Sequence, residues 1–336
     1  MKNTRRTLLF LICSASLLLN GCAHGLSSAP SSLAEPTASS IRILTIGTAD
    51  SGGTMYPVGQ ALAQTISESD TRIKLNLSAS NGSSSNVRSL TNGDIDLGLV
   101  SGDVAFEAVN GQGEFAQQPA HKLRVIAAVY PSLSNWMSLS DSGLSYVHDL
   151  KGKRIGVGPQ DSTTELSASI ILSSMGITAE NSAITNCGLG SGADQVKNKL
   201  LDSVHGFAGI PIRGLSELAD ALPCTILKYT EEELRTIIRG NAFYYQDVIP
   251  AGTYKGQTED IPTFGIKCLL CVSADMDEDL VYELTSILAR SAGSLKELHG
   301  ALSSMERKGF MCDELPIELH PGAERFYREN NMLPAS

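Results

Sequence analysis

Short apolar runs alternate with amphipathic stretches from residue 41 onward. The runs at 41–46, 95–100 and 204–210 have the length and composition of buried strands. Between such runs, apolar residues recur at helical spacing, as in 166–175, a stretch that ends at Gly176. Strands that alternate with helices in this way are typical of α/β proteins with mainly parallel sheets.

The same patterning predicts further elements along the chain. Strands are also predicted at 74–79, 123–130, 154–157, 225–228 and 265–273. Helices are predicted from Pro57 onward, through Val87 and Leu90 to Gly93, and at 215–222, 231–239 and 280–298. Pro57 suits a first helical turn because an N–H at that position would have no partner within the helix.

A basic start and a short apolar run indicate that the N-terminus is a targeting segment. The run from Leu8 to Leu19 has 12 residues, fewer than the ~20 that span a bilayer. It ends in Leu-Asn-Gly-Cys22, which resembles a bacterial lipobox, so residues 1–21 are expected to be removed and Cys22 to carry lipid. An ordinary signal peptide with an incidental cysteine is the alternative. Residues 22–40, rich in Ser, Ala and Pro, are expected to form a flexible tether.

Composition excludes several classes of function. The chain has 336 residues, 42% of them apolar, so it can bury a sizeable core, and its length suggests about two lobes. Its formal charge of −10 disfavours a polyanionic partner such as nucleic acid. The six histidines show neither HxxxH nor HExxH spacing, so no zinc-protease site is predicted.

Five cysteines remain beyond the signal segment and Cys22, and an odd number cannot all form disulfides. Cys268 and Cys271 form a C-x-x-C motif, which can indicate redox or metal chemistry. They lie in the apolar run 265–273, however, and residues three apart on a strand point to opposite faces. We therefore expect both to pack in the core.

Loops rich in Ser, Thr and Gly follow four of the predicted strands, at 47–56, 80–86, 101–103 and 158–165. In α/β sheets, ligands bind at the carboxyl ends of strands, where helices begin. Such loops expose N–H and hydroxyl groups that can hold a small polar or anionic ligand without a protein cation. No P-loop or dinucleotide fingerprint is present in them. The alternative is that they are ordinary turns.

Five segments carry motifs that occur together in one known family. They are Gly47-Thr-Ala-Asp-Ser-Gly-Gly-Thr-Met-Tyr-Pro-Val-Gly59, Asn92-Gly-Asp-Ile-Asp-Leu97, Asp149-Leu-Lys-Gly-Lys-Arg-Ile-Gly-Val-Gly158, Ile249-Pro-Ala-Gly-Thr-Tyr-Lys-Gly256 and Leu319-His-Pro-Gly-Ala-Glu-Arg-Phe-Tyr-Arg-Glu329. Over about residues 41 to 333, the chain thereby resembles the TAXI-type solute-binding proteins of TRAP transporters.

This resemblance implies a type II periplasmic-binding fold with a ligand cleft between two lobes. Lobe 1 would comprise 41–133 plus 263–336, with helix 280–298 on its back or at the hinge, and lobe 2 would comprise 134–262. A periplasmic protein, tethered through lipid, would pass its solute to the integral membrane subunits of the TRAP transporter. Neither enzymatic activity nor a cofactor is expected. The alternative is a sensory or surface-exposed lipoprotein that keeps the fold without transport.

The resemblance also implies which residues bind the ligand. They are Thr48, Thr54, Tyr56, Ser83, Ser84 and Ser101 in lobe 1, and Ser162, Thr163, Thr164, Gly209 and Arg213 in lobe 2. For each hydroxyl the alternative is helix capping, and for Arg213 it is an ordinary surface position. Tyr244 and Tyr245 can close over the ligand, although packing is the expected role.

Departures from the family pattern bear on the solute. Asp50 and Asp161 place two extra carboxylates near the predicted cleft mouth, and Met55 replaces the first of two tyrosines. These carboxylates would repel a dianion, whereas Arg213 could pair with one carboxylate. The expected solute is an organic acid or amino acid of the glutamate, glutamine or 2-oxoglutarate kind.

Overall fold

The structure is a computed structural model that describes residues 41–333. The predicted signal segment 1–21, the lipidated Cys22 and the tether 22–40 lie outside the described residues, as do residues 334–336. Of the helices within the described range, none is long and apolar enough to cross a membrane.

Ten strands and nine α-helices are described. The strands are β1 (Arg42–Gly47), β2 (Ile73–Ser78), β3 (Leu97–Ser101), β4 (Leu123–Leu139), β5 (Arg154–Gly156), β6 (Ala183–Thr185), β7 (Ser203–Ala208), β8 (Cys224–Ile226), β9 (Tyr245–Ile249) and β10 (Ile261–Ser273). The helices are α1 (Met55–Ser69), α2 (Ser83–Asn92), α3 (Gly102–Asn110), α4 (Thr163–Ser174), α5 (Leu189–Lys197), α6 (Arg213–Ala221), α7 (Glu231–Arg239), α8 (Glu278–Leu298) and α9 (Pro321–Glu329).

All ten strands form one mixed sheet with the order β2-β1-β3-β10-β4-β7-β5-β6, with β8 paired to β4 and β9 to β10. At one end β2, β1 and β3 are parallel, and we call them the first triplet. At the other end β7, β5 and β6 are parallel and form the second triplet. Between them, β10 and β4 run antiparallel to each other and to their neighbours. The α/β class is therefore confirmed, and the parallel character is confined to the two triplets.

Strand β4 is about twice as long as the patterning predicted. The predicted strand ended at Tyr130, but β4 continues to Leu139 and is buried nearly throughout. Its second half reads as polar because it contains serines and Asn135, yet these residues are buried, and the Ser134 and Asn135 side chains are hydrogen-bonded. Asn135, for example, donates a hydrogen bond to the Leu133 carbonyl at 2.8 Å. The strand is therefore buried although its second half lacks the apolar signature of a buried strand.

Helix α1 begins at Met55, two residues before the predicted start at Pro57. Pro57 still lies in the first turn, where a residue without an N–H is tolerated. Because the helix starts earlier, Thr54 is the residue directly before it.

Cys268 and Cys271 lie on opposite faces of β10, as predicted. Cys268 belongs to a core cluster with residues of α1 and α8, including Leu62 and Ile287. Cys271 belongs to the cluster on the other face, which contains residues of α2 and α3. Burial raises the pKa of Cys268 to about 12, so its thiol stays protonated. Among the described residues all five cysteines are free, and no cluster of potential metal ligands occurs.

Candidate functional site

Five helices begin around one cavity at the carboxyl ends of the strands. Helices α1, α2 and α3 follow the strands of the first triplet, whereas α4 and α5 follow β5 and β6. The middle of β4 contributes Tyr130 and Ser132 to the wall. The cavity volume is about 60 Å³, which is room for roughly four to six water molecules.

The lining is rich in hydroxyl groups and poor in charge. It consists of Ala49, Asp50, Gly53, Thr54, Met55, Asn81, Gly82, Ser83, Ser101, Tyr130, Ser132, Pro159, Ser162, Thr163, Thr164, Leu189, Phe207 and Ala208. Within the described part of the chain, no lysine, arginine or histidine lines the cavity, and Asp50 is its one charged side chain.

Four of the five helices begin without a cap from the side chain of the preceding residue. Within residues 41–333, the residue before α1, α2, α3 or α5 makes no side-chain cap, but in the first turn of α3 the buried Asp103 carboxylate accepts a hydrogen bond from the Val104 N–H at 2.8 Å. Helix α4 differs, because the Ser162 hydroxyl accepts a hydrogen bond from the Glu165 N–H at 3.2 Å. The first N–H groups of a helix have no intrahelical partner, and the helix dipole is positive at that end. The cavity wall therefore favours negative charge although no cation contributes to it.

Two buried hydroxyl groups on the wall have no hydrogen-bond partner among the described residues. They belong to Ser101 and Tyr130, whose side chains are 1% and 0% exposed. Burial raises the pKa of Tyr130 well above its usual value, so its hydroxyl keeps its proton and can donate. Buried hydroxyls are normally paired. These two are not, so both are free to bind a ligand atom.

Hydrogen bonds connect the two triplets across the cavity. The Ser83 and Thr163 hydroxyls, at the starts of α2 and α4, are 3.1 Å apart. The Ser101 N–H donates to the Ser83 hydroxyl at 2.9 Å, which fixes this side chain in the wall. The Thr54 hydroxyl donates to the carbonyl of Gly209, the residue that follows β7. Hydroxyls from the loops and helix starts of both triplets therefore enclose the cavity.

Glycine is required where the loop after β1 approaches α5. A Cβ atom on Gly52 would lie 2.7 Å from the backbone nitrogen of Gly190, closer than real contacts allow. The Gly52 carbonyl also accepts a hydrogen bond from the Gly214 N–H at 3.2 Å. The loop that carries Thr54 thus lies directly on the elements of the second triplet.

A chain of buried hydrogen bonds runs from the core to the first turn of α4. The Trp136 indole N–H donates to the Tyr229 hydroxyl at 2.8 Å, and that hydroxyl lies 2.6 Å from the Ser134 hydroxyl. Ser134 lies 3.1 Å from His205 Nε2, and His205 Nδ1 lies 3.2 Å from the Thr164 carbonyl.

One direction of donation satisfies every group in this chain. Because the Thr164 carbonyl can only accept, His205 carries its proton on Nδ1 and accepts from Ser134 at Nε2. Ser134 then accepts from Tyr229. Burial lowers the pKa of His205 to about 3, so the ring is neutral at physiological pH. His205 thereby fixes the backbone of Thr164, which lines the cavity.

The structure brings six of the eleven predicted ligand residues together around the cavity. They are Thr54, Ser83, Ser101, Ser162, Thr163 and Thr164. The other five, Thr48, Tyr56, Ser84, Gly209 and Arg213, do not belong to the lining.

Hydrogen bonds explain why some of the predicted residues face away. The Thr48 hydroxyl donates to the Ser78 carbonyl at 3.0 Å and so connects the ends of β1 and β2. The Ser84 hydroxyl donates to Glu114. Tyr56 is one residue into α1, and helical phase turns it from the side on which Thr54 lies.

Arg213 and Gly209 also have other partners than a cavity ligand. Arg213 Nε donates to Glu217 Oε1 at 2.8 Å, and the arginine side chain is 63% exposed. Arg213 therefore lies outside the cavity lining, and it would have to leave Glu217 to pair with a solute carboxylate. Gly209 contributes its carbonyl to Thr54, and a Cβ there would come within 2.8 Å of the Thr54 and Ala301 side chains.

Several lining residues were missed from the sequence. Tyr130 is the last residue of the predicted strand and Ser132 lies beyond it, and both lie in the middle of β4. Phe207 lies within a predicted strand, but the pattern did not indicate that it reaches the cavity. Tyr244 packs against Phe264, with ring centroids 4.8 Å apart, which is the packing role that was expected.

Comparison with protein-family models gives a match over nearly the whole described chain. The matching model is described as the NMT1-like family and covers residues 46–330. The chain belongs to the NMT1-like family.

The assignment to TAXI-type TRAP subunits was wrong, because the family that matches this NMT1-like protein is a different one. The motifs behind that assignment include the loops at 47–59 and 149–158. The first forms the start of α1 at the cavity, and the second leads into β5. Such segments form strands and helix starts of the fold itself. They therefore indicate the fold and do not identify the type of transporter.

Solved structures share the fold of this NMT1-like protein at low sequence identity. PhnD1 from Prochlorococcus marinus (MIT 9301), solved with methylphosphonate, is 13% identical with a TM-score of 0.54, over 87% of this chain and 99% of that one. A protein of Bordetella bronchiseptica RB50 is 13% identical with a TM-score of 0.51, over 88% and 90%. A putative L-cystine ABC transporter from Listeria monocytogenes is 16% identical with a TM-score of 0.48, over 79% and 97%. The likeness to PhnD1, whose TM-score is above 0.5, confirms the α/β fold of type II periplasmic binding proteins.

Proposed function

We propose that this NMT1-like protein is an extracytoplasmic binding protein for a small anionic organic solute, which it holds in the cavity between the two triplets. The observation that carries this proposal is the set of three helix starts, those of α1, α2 and α5, that meet the cavity without a side-chain cap from the described residues. An anion at this point would accept hydrogen bonds from their N–H groups and interact favourably with their dipoles.

The free hydroxyls of Ser101 and Tyr130 support the same function. Each can donate to an acidic group of the solute, and neither has a partner among residues 41–333. With room for roughly four to six water molecules, the cavity suits a solute of a few non-hydrogen atoms. Small carboxylates, amino acids and sulfonates are the classes we propose.

Binding, not catalysis, is the function that the contacts favour. Within the described chain, no histidine, lysine or arginine lines the cavity as a base or acid beside its hydroxyls. His205, the nearest candidate in the hydrogen-bond network, uses both ring nitrogens to hold Ser134 and Thr164. A hydroxyl without a base nearby is a weak nucleophile.

We also propose that the two sides of the cavity act as lobes that close on the solute. Residues 41–133 with 263–336 would form one lobe, and residues 134–262 the other. The Ser83–Thr163 and Thr54–Gly209 contacts would form on closure, because each joins the two sides. Strands β4 and β10, which run between the triplets, would form the hinge.

The solute would be passed to a membrane transporter, and we propose an ABC-type transporter in place of the TRAP subunits expected earlier. A putative L-cystine ABC transporter is among the proteins of similar fold. Residence in the periplasm and anchoring through lipid on Cys22 would keep the protein beside that partner.

A thermal-shift screen of the full chain, unfolded and refolded to remove carried-over solute, tests this function. The panel comprises small carboxylates, amino acids, sulfonates and phosphonates, with sugars and polyamines as controls. A rise in melting temperature with small monoanions is expected, because a ligand of the native state stabilises it. Stabilisation by sugars or polyamines alone, or by no compound at all, would contradict the proposal.

A further inference from the structure

The cavity contains one charge that the proposed anion does not explain. Asp50, in the loop between β1 and α1, is the charged side chain of the lining, and it is exposed at the mouth of the cavity. A carboxylate at an anion site opposes the binding of a second negative charge.

The Asp50 carboxylate has no partner of its own. Within residues 41–333 it makes no hydrogen bond and no ion pair, although the structure contains many of both elsewhere. Its Oδ2 atom would lie 3.3 Å from a Cβ on Gly188 and 3.1 Å from one on Gly52. The carboxylate therefore lies between the loop after β1 and the start of α5, with no cationic side chain of the described residues paired to it.

The rest of the wall has the opposite character. The uncapped helix starts attract an anion, and the buried Ser101 and Tyr130 hydroxyls, 1% and 0% exposed, have no partner in the described chain. The cavity thus combines a deep surface that favours an acidic group with a carboxylate at its mouth. A molecule that carries both charges, positive and negative, matches both surfaces.

We propose that Asp50 determines specificity by binding the ammonium group of a small zwitterion whose acidic group lies at the helix starts. This inference rests on the proposed solute-binding function and narrows it to amino acids of roughly five or six non-hydrogen atoms, the size that the cavity admits. A dicarboxylate is rejected because its second carboxylate would lie beside Asp50.

Another role of Asp50 would give a different experimental result. Its carboxylate lies near the start of α5, where a negative charge interacts favourably with the helix dipole. If that were its whole contribution, substitution of Asp50 would change the affinities for alanine and for propionate by the same factor. The comparison of solutes that differ by one charged group distinguishes the two roles.

The test is isothermal titration of the full chain with four related solutes. Alanine carries both charges, propionate lacks the amino group, ethylamine lacks the carboxylate, and methylmalonate has a carboxylate in place of the amino group. Each is measured with the wild type, with Asp50→Asn and with the control Asp161→Asn. Asp161 precedes Ser162 but does not line the cavity, and its φ of 60° is a conformation that asparagine tolerates.

The wild type is expected to bind alanine about tenfold more tightly than propionate, and to bind ethylamine and methylmalonate most weakly. In Asp50→Asn the preference for alanine over propionate should disappear and methylmalonate should bind better, whereas Asp161→Asn should behave as the wild type. Equal binding of alanine and propionate by the wild type, or an equal loss for both in Asp50→Asn, would overturn the role of Asp50 and leave anion binding intact. If no monoanion in the wider panel bound, the solute-binding function itself would fail.

Discussion

The hydroxyl groups of Ser101 and Tyr130 are buried in the cavity wall without a partner in the described chain. A buried polar group left unpaired destabilises a protein by about 1–3 kcal/mol. A residue that remains in this state is better explained by ligand binding than by stability. The two side chains therefore connect the chemistry of single residues with the proposed function.

Ser101→Ala and Tyr130→Phe are expected to weaken binding of a small carboxylate by about tenfold each without lowering the stability of the ligand-free protein. Each substitution removes a donor to the solute and, at the same time, an unpaired buried group. Titration calorimetry and urea unfolding measure the two effects. Ser138→Ala is the matched control, since the Ser138 hydroxyl is also buried and unpaired but does not line the cavity. Unchanged affinity in both variants would contradict a role for these hydroxyls.

Single residues also show what the sequence could reveal about the site. Loops of small residues at strand ends located the cavity correctly, because helix starts converge there in any α/β sheet. Which hydroxyl faces the cavity depends on helical phase. Thr54 lines the cavity, whereas Tyr56, two residues later, does not. Tyr130 was missed because it reaches the cavity only where β4 packs against the loops before α1, α2 and α4. This long-range contact has no local signal in the sequence.

At the scale of elements, α7 and α5 illustrate where patterning succeeds and fails. Helix α7 has the predicted bounds, 231–239, because Thr230 and Glu233 form a capping box and three acidic residues follow the cap. Helix α5 was not predicted, since its first turn, Leu-Gly-Ser-Gly, has the composition of a loop. Gly192 is required because a Cβ there would lie 2.7 Å from Val204 Cγ2 and 2.9 Å from Cys187 Sγ, so packing overrides helix propensity at this point.

Gly52→Ala is expected to weaken solute binding by at least about tenfold, because the added methyl group would separate the loop after β1 from α5. Titration with the best carboxylate of the panel measures this loss. Gly293→Ala, in α8, is the control, since its Cβ would contact only the flexible Glu306 carboxylate, at 3.3 Å. Wild-type affinity in Gly52→Ala would mean that the close approach is not needed for binding.

The hydrogen-bond chain that ends at α4 gives the protein a defined pH dependence. Burial lowers the pKa of His205 to about 3 in the folded protein, against about 6.5 in an unfolded chain. Between these values the unfolded chain binds a proton that the folded chain does not. Stability contributed by neutral His205 is therefore present above pH 6.5 and is lost as the pH falls toward 3.

His205→Gln is expected to reduce the loss of unfolding free energy between about pH 7 and pH 4.5. Urea unfolding at both pH values measures it, with His121→Gln as control because His121 is exposed. If His205→Gln lost as much unfolding free energy between these pH values as the wild type, other groups would dominate the acid response.

Tyr229→Phe, which leaves the Trp136 N–H without its acceptor, should lower stability by about 1–3 kcal/mol at neutral pH.

At the scale of the whole molecule, two parallel triplets are joined by the long strands β4 and β10, whose full length and central position the local pattern did not predict. The fold class was predictable from alternating strands and helices. The antiparallel centre was not, because pairing direction depends on how the chain returns from residue 261 to the first triplet. This return places the cavity over the middle of the sheet.

In the proposed function, the cavity binds the negative charge of its solute without a cationic side chain from the described residues. The most direct measurement is calorimetric titration of the refolded full chain with propionate and with propionamide, which have nearly the same shape. One site per chain and at least about tenfold tighter binding of propionate are expected, because the helix starts favour an anion. Equal affinity for the two compounds, or binding of propionamide alone, would contradict this mode of binding.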